Sequence, residues 1–210
     1  MQLRPDLHVA IANDRPVFLD VAADRYFCLG GALEQAFLAW FDRPRTAPAK
    51  ALVEAGILVD GTRSLATPPI DPPRSSLCEA GNTPLPDAVR WYRVAWLVAR
   101  RHWETNHHPL AVSLERLQRR RSNHARRPPP AIPDIWASYR RHRRTIPIAY
   151  SCLLDSLALL DFLGAFGHDA RLVIGVTLDP FLAHCWVQKS DLLINDRLGH
   201  VGAFTPILVA

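Results

Sequence analysis

A proline-rich stretch, residues 60–86, divides the chain into two regions with different patterns of apolar residues. It holds six of the chain's 18 prolines, and few of its apolar residues are regularly spaced. Proline has no backbone N–H and is poorly tolerated inside helices and central strands. We therefore predict a semi-rigid linker at residues 63–86, between an N-terminal domain of residues 1–62 and a C-terminal domain of residues 87–210.

The first region opens with short runs of β-forming residues, at residues 8–14, 16–21 and 25–30. Helical spacing of apolar residues follows at residues 31–41. A second helix is expected to begin with Thr46 as its N-cap and to stop at Gly56, before a strand at residues 57–60. Strands followed by two helices and a returning strand predict a small winged-helix-like domain.

Many winged helices bind DNA through a helix rich in basic and amide side chains. The corresponding segment here, residues 47–56, contains one lysine and neither arginine nor asparagine. Such a segment is poorly suited to contacts with phosphates or base edges. A peptide is therefore a better candidate ligand for this domain than nucleic acid.

The second region begins with helical patterns at residues 86–104 and 110–121 and carries an unusual density of arginine. Residues 90–144 hold fourteen arginines against three acidic residues, a local charge of +11 in a chain whose net charge is +5. This block is either a solvated helix surface or a docking surface for an acidic partner. The sequence leaves both interpretations open.

The strongest helical pattern in the chain is AYSCLLDSLALLDFLGAFG, residues 149–167. Ser151 is a suitable N-cap, and Gly164 or Gly167 is expected to end the helix. Cys152 then lies in the first turn, where free N–H groups and the helix dipole stabilise a thiolate. Buried cysteines are also common on apolar helices, so this position alone does not identify a nucleophile.

Three strands are expected after this helix, at residues 170–176, 183–188 and 192–196. A three-residue hairpin centred on Ser190 would place His184 opposite Asp196. Directly opposed side chains have Cβ atoms about 4.5–5.5 Å apart, so the carboxylate could hold the imidazole ring. A slip of one residue in the register would remove this pairing.

Three residues therefore fit three roles in thiol chemistry. Cys152 would attack a carbonyl, His184 would transfer the proton, and Asp196 would orient His184. A cysteine at a helix start, with histidine and aspartate on neighbouring antiparallel strands, is typical of papain-like and transglutaminase-like folds. We predict an α+β protein in which a winged-helix-like domain precedes a papain- or transglutaminase-like domain with an antiparallel sheet.

The other candidates for chemistry are weaker. No cysteine belongs to a CxxC pair, and the histidines at 107–108 lack a third ligand at metal spacing, so no metal site is predicted. Cys185 should point to the sheet face opposite His184 and lie in the core. The start of the chain has no signal-peptide pattern, and no apolar run is long enough to span a bilayer, so a cytoplasmic protein that does not bind membranes is expected.

Several stretches carry a resemblance to the lasso-peptide maturation B proteins, namely VFLDVAADRYFCLGG, SCLLDSLAL, RLVIGV, FLAHCWVQ, LLIND and FTPIL. These proteins join a leader-recognition domain, related to a chaperone of quinone-cofactor biosynthesis, to a transglutaminase-like cysteine peptidase. The resemblance implies a peptidase that removes the leader of a ribosomally made precursor. A partner cyclase resembling asparagine synthetase then uses ATP and magnesium to close a macrolactam. This chain has no Gly-rich phosphate loop, so no cofactor is expected in it and ATP is assigned to the cyclase.

The resemblance also implies where the leader binds. The leader would add a strand to the third strand of the first domain and contact its last helix. Candidate contacts are Tyr26, Phe27, Leu29, Leu52 and Val53, although each of these side chains could equally belong to the core. Two other functions stay open: a thiol enzyme that transfers acyl groups to amines, as transglutaminases do, and a peptide-binding scaffold without catalysis.

Overall fold

The N-terminal unit, residues 1–61, is built around a small antiparallel sheet. The computed structural model describes residues 1–44, 50–61, 70–81, 90–120 and 130–210, apart from the side chain of residue 120. The sheet has the order β2–β3–β4, with strands Leu7–Ala12, Arg15–Asp20 and Arg25–Cys28. Asn13 and Asp14 form the tight turn between β2 and β3 with φ of 48° and 60°, a conformation that asparagine and aspartate tolerate.

Two helices and a second strand pair complete this unit. The helices are α1 (Gly31–Asp42) and α2 (Lys50–Glu54), and the strands β1 (Gln2–Leu3) and β5 (Leu58–Val59) pair antiparallel. One face of the three-stranded sheet packs against the helices through Phe18, which stacks on Phe27 at 5.1 Å and meets Phe37 edge-on at 4.8 Å. The expected N-cap Thr46 lies outside the described residues. The winged-helix-like arrangement stays a prediction.

The C-terminal unit, residues 70–210, contains a five-stranded sheet in the order β10–β7–β8–β9–β6. Its strands are β6 (Ser75–Ser76), β7 (Arg171–Thr177), β8 (Leu182–Lys189), β9 (Leu192–Leu193) and β10 (Thr205–Val209). Every pairing is antiparallel except that of β6 with β9. With the helices, these antiparallel sheets confirm the predicted α+β class.

The helices of this unit are α3 (Trp91–His107), α4 (Leu110–Arg120), α5 (Ile132–Arg143), α6 (Cys152–Ala165) and α7 (Leu198–Val201). Helix α6 lies between α3 and α5 on one side and the sheet on the other, so most of its residues are buried. Helix α5 begins at Ile132 and has a proline as its second residue. Pro133 is tolerated because it occupies the first turn, where its missing N–H has no helical partner to lose. No helix of the described part of the chain is long and apolar enough to cross a membrane.

The two units share one apolar cluster. Ala10, Val17, Leu19 and Val21 of the first sheet are buried in the same cluster as α6 and the strands β7 and β10. The Asn13 side chain also donates to the carbonyl of Leu178 at 3.5 Å. The first sheet therefore packs between its own helices and the C-terminal unit. Proline spacing could suggest a division of the chain, but it carries no information on which surfaces meet.

Part of the stretch expected to be a linker belongs to the C-terminal sheet. Ser75 and Ser76 form β6, which pairs in parallel with β9 at the edge of the sheet. Leu77 is buried in the shared cluster. Residues 62–69 and 82–86 of the proline-rich stretch lie outside the described residues.

Two arginines of the basic block are structural. Arg101 is fully buried, with its guanidinium 2.7 Å from both oxygens of Asp161 and 2.8 Å from Glu104. Arg143 is also buried and pairs with Asp155. A buried cation requires such partners because an unpaired charge in the interior is very costly. Arg101 and Arg143 therefore belong neither to a solvated helix surface nor to a docking surface.

Candidate active site

Cys152 is the first residue of α6, and its side chain is exposed. Ser151 has the extended backbone of an N-cap, as expected, but its hydroxyl makes no capping bond. Asp155 instead accepts the Ser151 N–H at 2.9 Å. The first-turn N–H groups are therefore not occupied by the cap side chain, and their partial positive charge faces the region of the thiol.

His184 on β8 hydrogen-bonds through Nε2 to Oδ2 of Asp196. The predicted contact is present, but the predicted register is wrong by one residue. Lys189 pairs with Leu192, and Ser190, with φ of 51°, begins a two-residue turn. The shorter loop is possible because Ser190 adopts the left-handed conformation that a hairpin of this length requires.

Asp196 reaches His184 from outside the strand ladder. Strand β9 ends at Leu193, and the Asn195 side chain accepts the Val187 N–H at 2.7 Å, where a continuing strand would supply a carbonyl. Asn195 also donates to Ser156 Oγ on α6 at 3.0 Å. The asparagine therefore ends the strand, anchors it to α6 and turns the next residue toward the histidine.

The Asp196 carboxylate has further partners that hold its orientation. Oδ1 accepts the Arg197 N–H at 2.7 Å, and His200 Nδ1 lies 3.0 Å and 3.1 Å from the two oxygens. The Ser76 hydroxyl donates to the Asp196 carbonyl, so β6 supports the site. Sequence reasoning missed His200, although its spacing of four residues from Asp196 is the signal of a shared helical face.

His184, Asp196 and His200 also form a cluster with one possible metal-ligand atom from each side chain. These atoms lie within 4.8 Å of one another. All three are already joined by the hydrogen bonds through Asp196. Within the described ranges, the histidines at 107–108 belong to no such cluster; His107 stacks on Trp103 at 4.9 Å instead.

The His184 ring packs against the aromatic side chains of Trp186 and Phe204. The ring centroids lie 6.1 Å and 5.3 Å from that of His184. Gly175 pairs with His184 across β7 and β8, and a Cβ there would lie 2.8 Å from Phe204 and 2.9 Å from Trp186. Only glycine leaves space for both aromatic side chains at this point.

The electrostatics of the site favour a thiolate–imidazolium pair. Hydrogen bonds from the Cys185 thiol, His184 and the Cys185 backbone N–H lower the pKa of Cys152 to about 4. The bonds to Asp196 and Cys152 raise the pKa of His184 to about 9. Burial disfavours ionisation of Asp196, but its bonds to His184, Arg197 and His200 hold its pKa below the ordinary value. Because Asp196 occupies Nε2 of His184, the Nδ1 side of the ring is left for the thiol.

Cys185 is buried in the shared cluster, which confirms the prediction that it belongs to the core. Its thiol nevertheless interacts with Cys152, and this interaction and burial raise the pKa of Cys185. The Ser156 hydroxyl donates to the Cys185 carbonyl at 3.3 Å, so α6 and β8 meet at this residue. Cys185 therefore remains a protonated donor to the Cys152 thiolate.

The pH dependence of Cys152 reactivity follows from these values. Cys152 stays ionised above a pH of about 4 and His184 stays charged below about 9, so we expect the ion pair between these limits. We expect Cys185→Ala to move the acid limb to higher pH, because the thiolate loses a donor. The measurement is the rate of iodoacetamide alkylation at Cys152 against pH, resolved by peptide mass spectrometry.

Alkylation of the exposed Cys28 in the same digest is the internal reference for that experiment. An acid limb for Cys152 at the pH of an ordinary thiol, about 8.5, would contradict the ion pair. An unchanged acid limb in Cys185→Ala would show that the Cys185 thiol has no influence on the ionisation of Cys152.

The five residues proposed to contact a leader differ in exposure. Leu52 is fully buried and Leu29 is 8% exposed, so both pack in the core of the N-terminal unit. Phe27 is half-buried on the same side of the sheet, whereas Val53 is exposed. Tyr26 lies on the opposite side, against the shared cluster. Leader contact stays a prediction for these residues, and Leu52 has no accessible surface to offer in this conformation.

Comparisons with known proteins agree with the C-terminal geometry. The family profile described as Transglutaminase-like superfamily matches residues 88–209. A stretch of 45 residues is 47% identical to the microcin J25-processing protein McjB of Escherichia coli. This alignment covers 21% of the chain and only 22% of that relative's length. No solved structure matches the chain.

Proposed function

The chain belongs to the transglutaminase-like superfamily, and from this premise we propose that it is a cysteine peptidase that removes the leader of a lasso-peptide precursor. The observation that carries the proposal is the grouping of an exposed thiol of lowered pKa at a helix start with a histidine bonded to an aspartate. Thiol enzymes require this combination of nucleophile, proton carrier and orienting group. The similarity to a protein named for processing microcin J25 supports a peptide-processing role.

The proposed reaction proceeds in two stages. The Cys152 thiolate attacks the carbonyl of the scissile bond, and the His184 imidazolium protonates the leaving amine as the C–N bond breaks. Water then loses a proton to His184 and attacks the thioester, which releases the leader as a free acid and restores the thiolate. The exposure of Cys152 gives water access to the thioester and favours hydrolysis over transfer to an amine.

Two partners belong to the proposal. The leader would bind to the N-terminal unit by adding a strand beside β4, which is an edge strand of its sheet. The freed core peptide would pass to a cyclase resembling asparagine synthetase, which supplies ATP-dependent ring closure. No ATP chemistry is assigned to this chain.

The test uses a lasso-peptide precursor that carries its leader, with and without the cyclase and ATP. We expect mass spectrometry to show a leader that ends in a free carboxyl group, even when hydroxylamine is present at millimolar concentration. A leader recovered mainly as the hydroxamate would indicate an acyltransferase. Binding of the precursor without cleavage in any mixture would indicate a scaffold and contradict the proposal.

A further inference from the structure

Tyr26 lies on the face of the first sheet that meets the C-terminal unit. It pairs with Leu19 across β3 and β4, and Leu19 is fully buried in the shared cluster. Tyr26 packs against that cluster and its ring lies 5.5 Å from that of Phe181. The N-terminal unit therefore extends an aromatic side chain toward the unit that carries the thiol.

Tyr26 also packs against the apolar cluster that contains Cys185, the residue that follows His184 on β8. Burial is the largest cause that raises the pKa of Tyr26 to about 12. This effect agrees with the packing because Cys185 belongs to the cluster that Tyr26 covers. Its phenol consequently stays neutral at the pH where the ion pair exists.

Apolar, exposed side chains lie near Cys152 and His184 in the chain. Phe181 precedes His184 by three residues and is 46% exposed, and Leu182 is 52% exposed. Tyr150 precedes Cys152 by two residues, and Arg143 lies over its ring at 4.1 Å. Helix α6, which begins at Cys152, meets β8 at Cys185 through Ser156, and Phe181 directly precedes β8. Exposed aromatic and aliphatic side chains near a reactive thiol are suited to holding an apolar part of a substrate.

We propose that Tyr26 and Phe181 form an apolar subsite beside Cys152 that holds a leucine- or phenylalanine-sized side chain of the substrate next to the scissile bond. This inference rests on the proposed peptidase function and adds that the N-terminal unit is part of the cleavage site. A peptide added beside β4 would pass Tyr26 on its way to Cys152. The shared core would then hold the bound segment and the cut bond at a constant separation.

Peptidyl vinyl sulfones test the subsite without knowledge of the natural substrate. Each probe carries Leu, Phe or Asp at the first, second or third residue from the warhead, with alanine elsewhere. The measurement is the second-order rate constant for alkylation of Cys152. We expect the wild-type protein to prefer Leu or Phe over Asp at one of these positions by roughly tenfold or more, the scale of discrimination in an apolar pocket.

Substitutions test whether the preference for apolar probes depends on the rings of Tyr26 and Phe181. Tyr26→Ala and Phe181→Ala should each reduce it to about threefold or less, while Tyr26→Phe keeps the ring and should retain it. Tyr92→Ala is the matched control, because Tyr92 is an exposed tyrosine on α3 and its loss should leave the preference unchanged. Iodoacetamide, which is too small to use a subsite, should alkylate Cys152 at the wild-type rate in every variant.

Equal rates for apolar and acidic probes on the wild-type protein would overturn the inference. Phe181→Ala that keeps the wild-type preference for Leu or Phe over Asp would also overturn the inference. If Tyr26→Ala does not fold, the result for Phe181→Ala tests the subsite alone. Failure of the peptidase proposal gives a different result, in which Cys152 reacts with vinyl sulfones no faster in the wild-type protein than in His184→Ala.

Discussion

Replacement of Cys152 by alanine is expected to abolish leader removal while the fold is retained. The neighbouring Cys185 cannot replace it, because the Cys185 thiol is buried and its pKa is raised. Alanine is also a good residue for a first helical turn, so α6 should be preserved. We expect the rate to fall by at least about 10⁴-fold, as when the nucleophile is removed from a catalytic triad.

The measurement is cleavage of the precursor peptide by mass spectrometry, with circular dichroism to confirm folding. Cys28→Ala is the matched control, since it removes another exposed thiol and should keep substantial activity. Cleavage by folded Cys152→Ala at a rate near that of the wild-type protein would exclude the thiol mechanism.

The second large effect is expected for the His184–Asp196 pair. Asp196→Asn preserves the shape of the side chain but removes the charge that holds the imidazolium. We expect a loss of about 10²–10⁴-fold in kcat/KM, and an equal or larger loss for His184→Ala, because both proton transfers pass through the ring. The double variant should be little worse than His184→Ala alone, since the two residues act as one group.

A shift in pH profile separates this role from a structural one. The hydrogen bond between His184 and the Asp196 carboxylate is the largest cause that raises the pKa of His184 to about 9. Asp196→Asn should therefore move the basic limb of the kcat/KM profile to lower pH. His102→Ala, which removes an exposed histidine on α3, is the control. Wild-type cleavage and an unmoved basic limb in folded Asp196→Asn would mean that the pair only stabilises the hairpin.

Local sequence patterns were sufficient to predict the elements that carry the site. The apolar run after Ser151 strongly favours a buried helix. Because Ser151 is the N-cap, Cys152 is the first residue of that helix. The alternating residues around His184 likewise predict a strand. These features depend on neighbours a few residues apart, so the sequence alone determined the α+β class and the order of cysteine, histidine and aspartate along the chain.

The contacts that assemble the site were decided by tertiary structure. Asp196 meets His184 through the side chain of Asn195 and the support of Ser76, and neither interaction has a local sequence signal. The same holds for the interaction between Cys185 and Cys152 and for the position of Tyr26. These contacts depend on which surfaces pack together, in part across long stretches of chain such as that between Ser76 and Asp196. Packing is selected by the burial of apolar area over the whole molecule rather than by any short pattern.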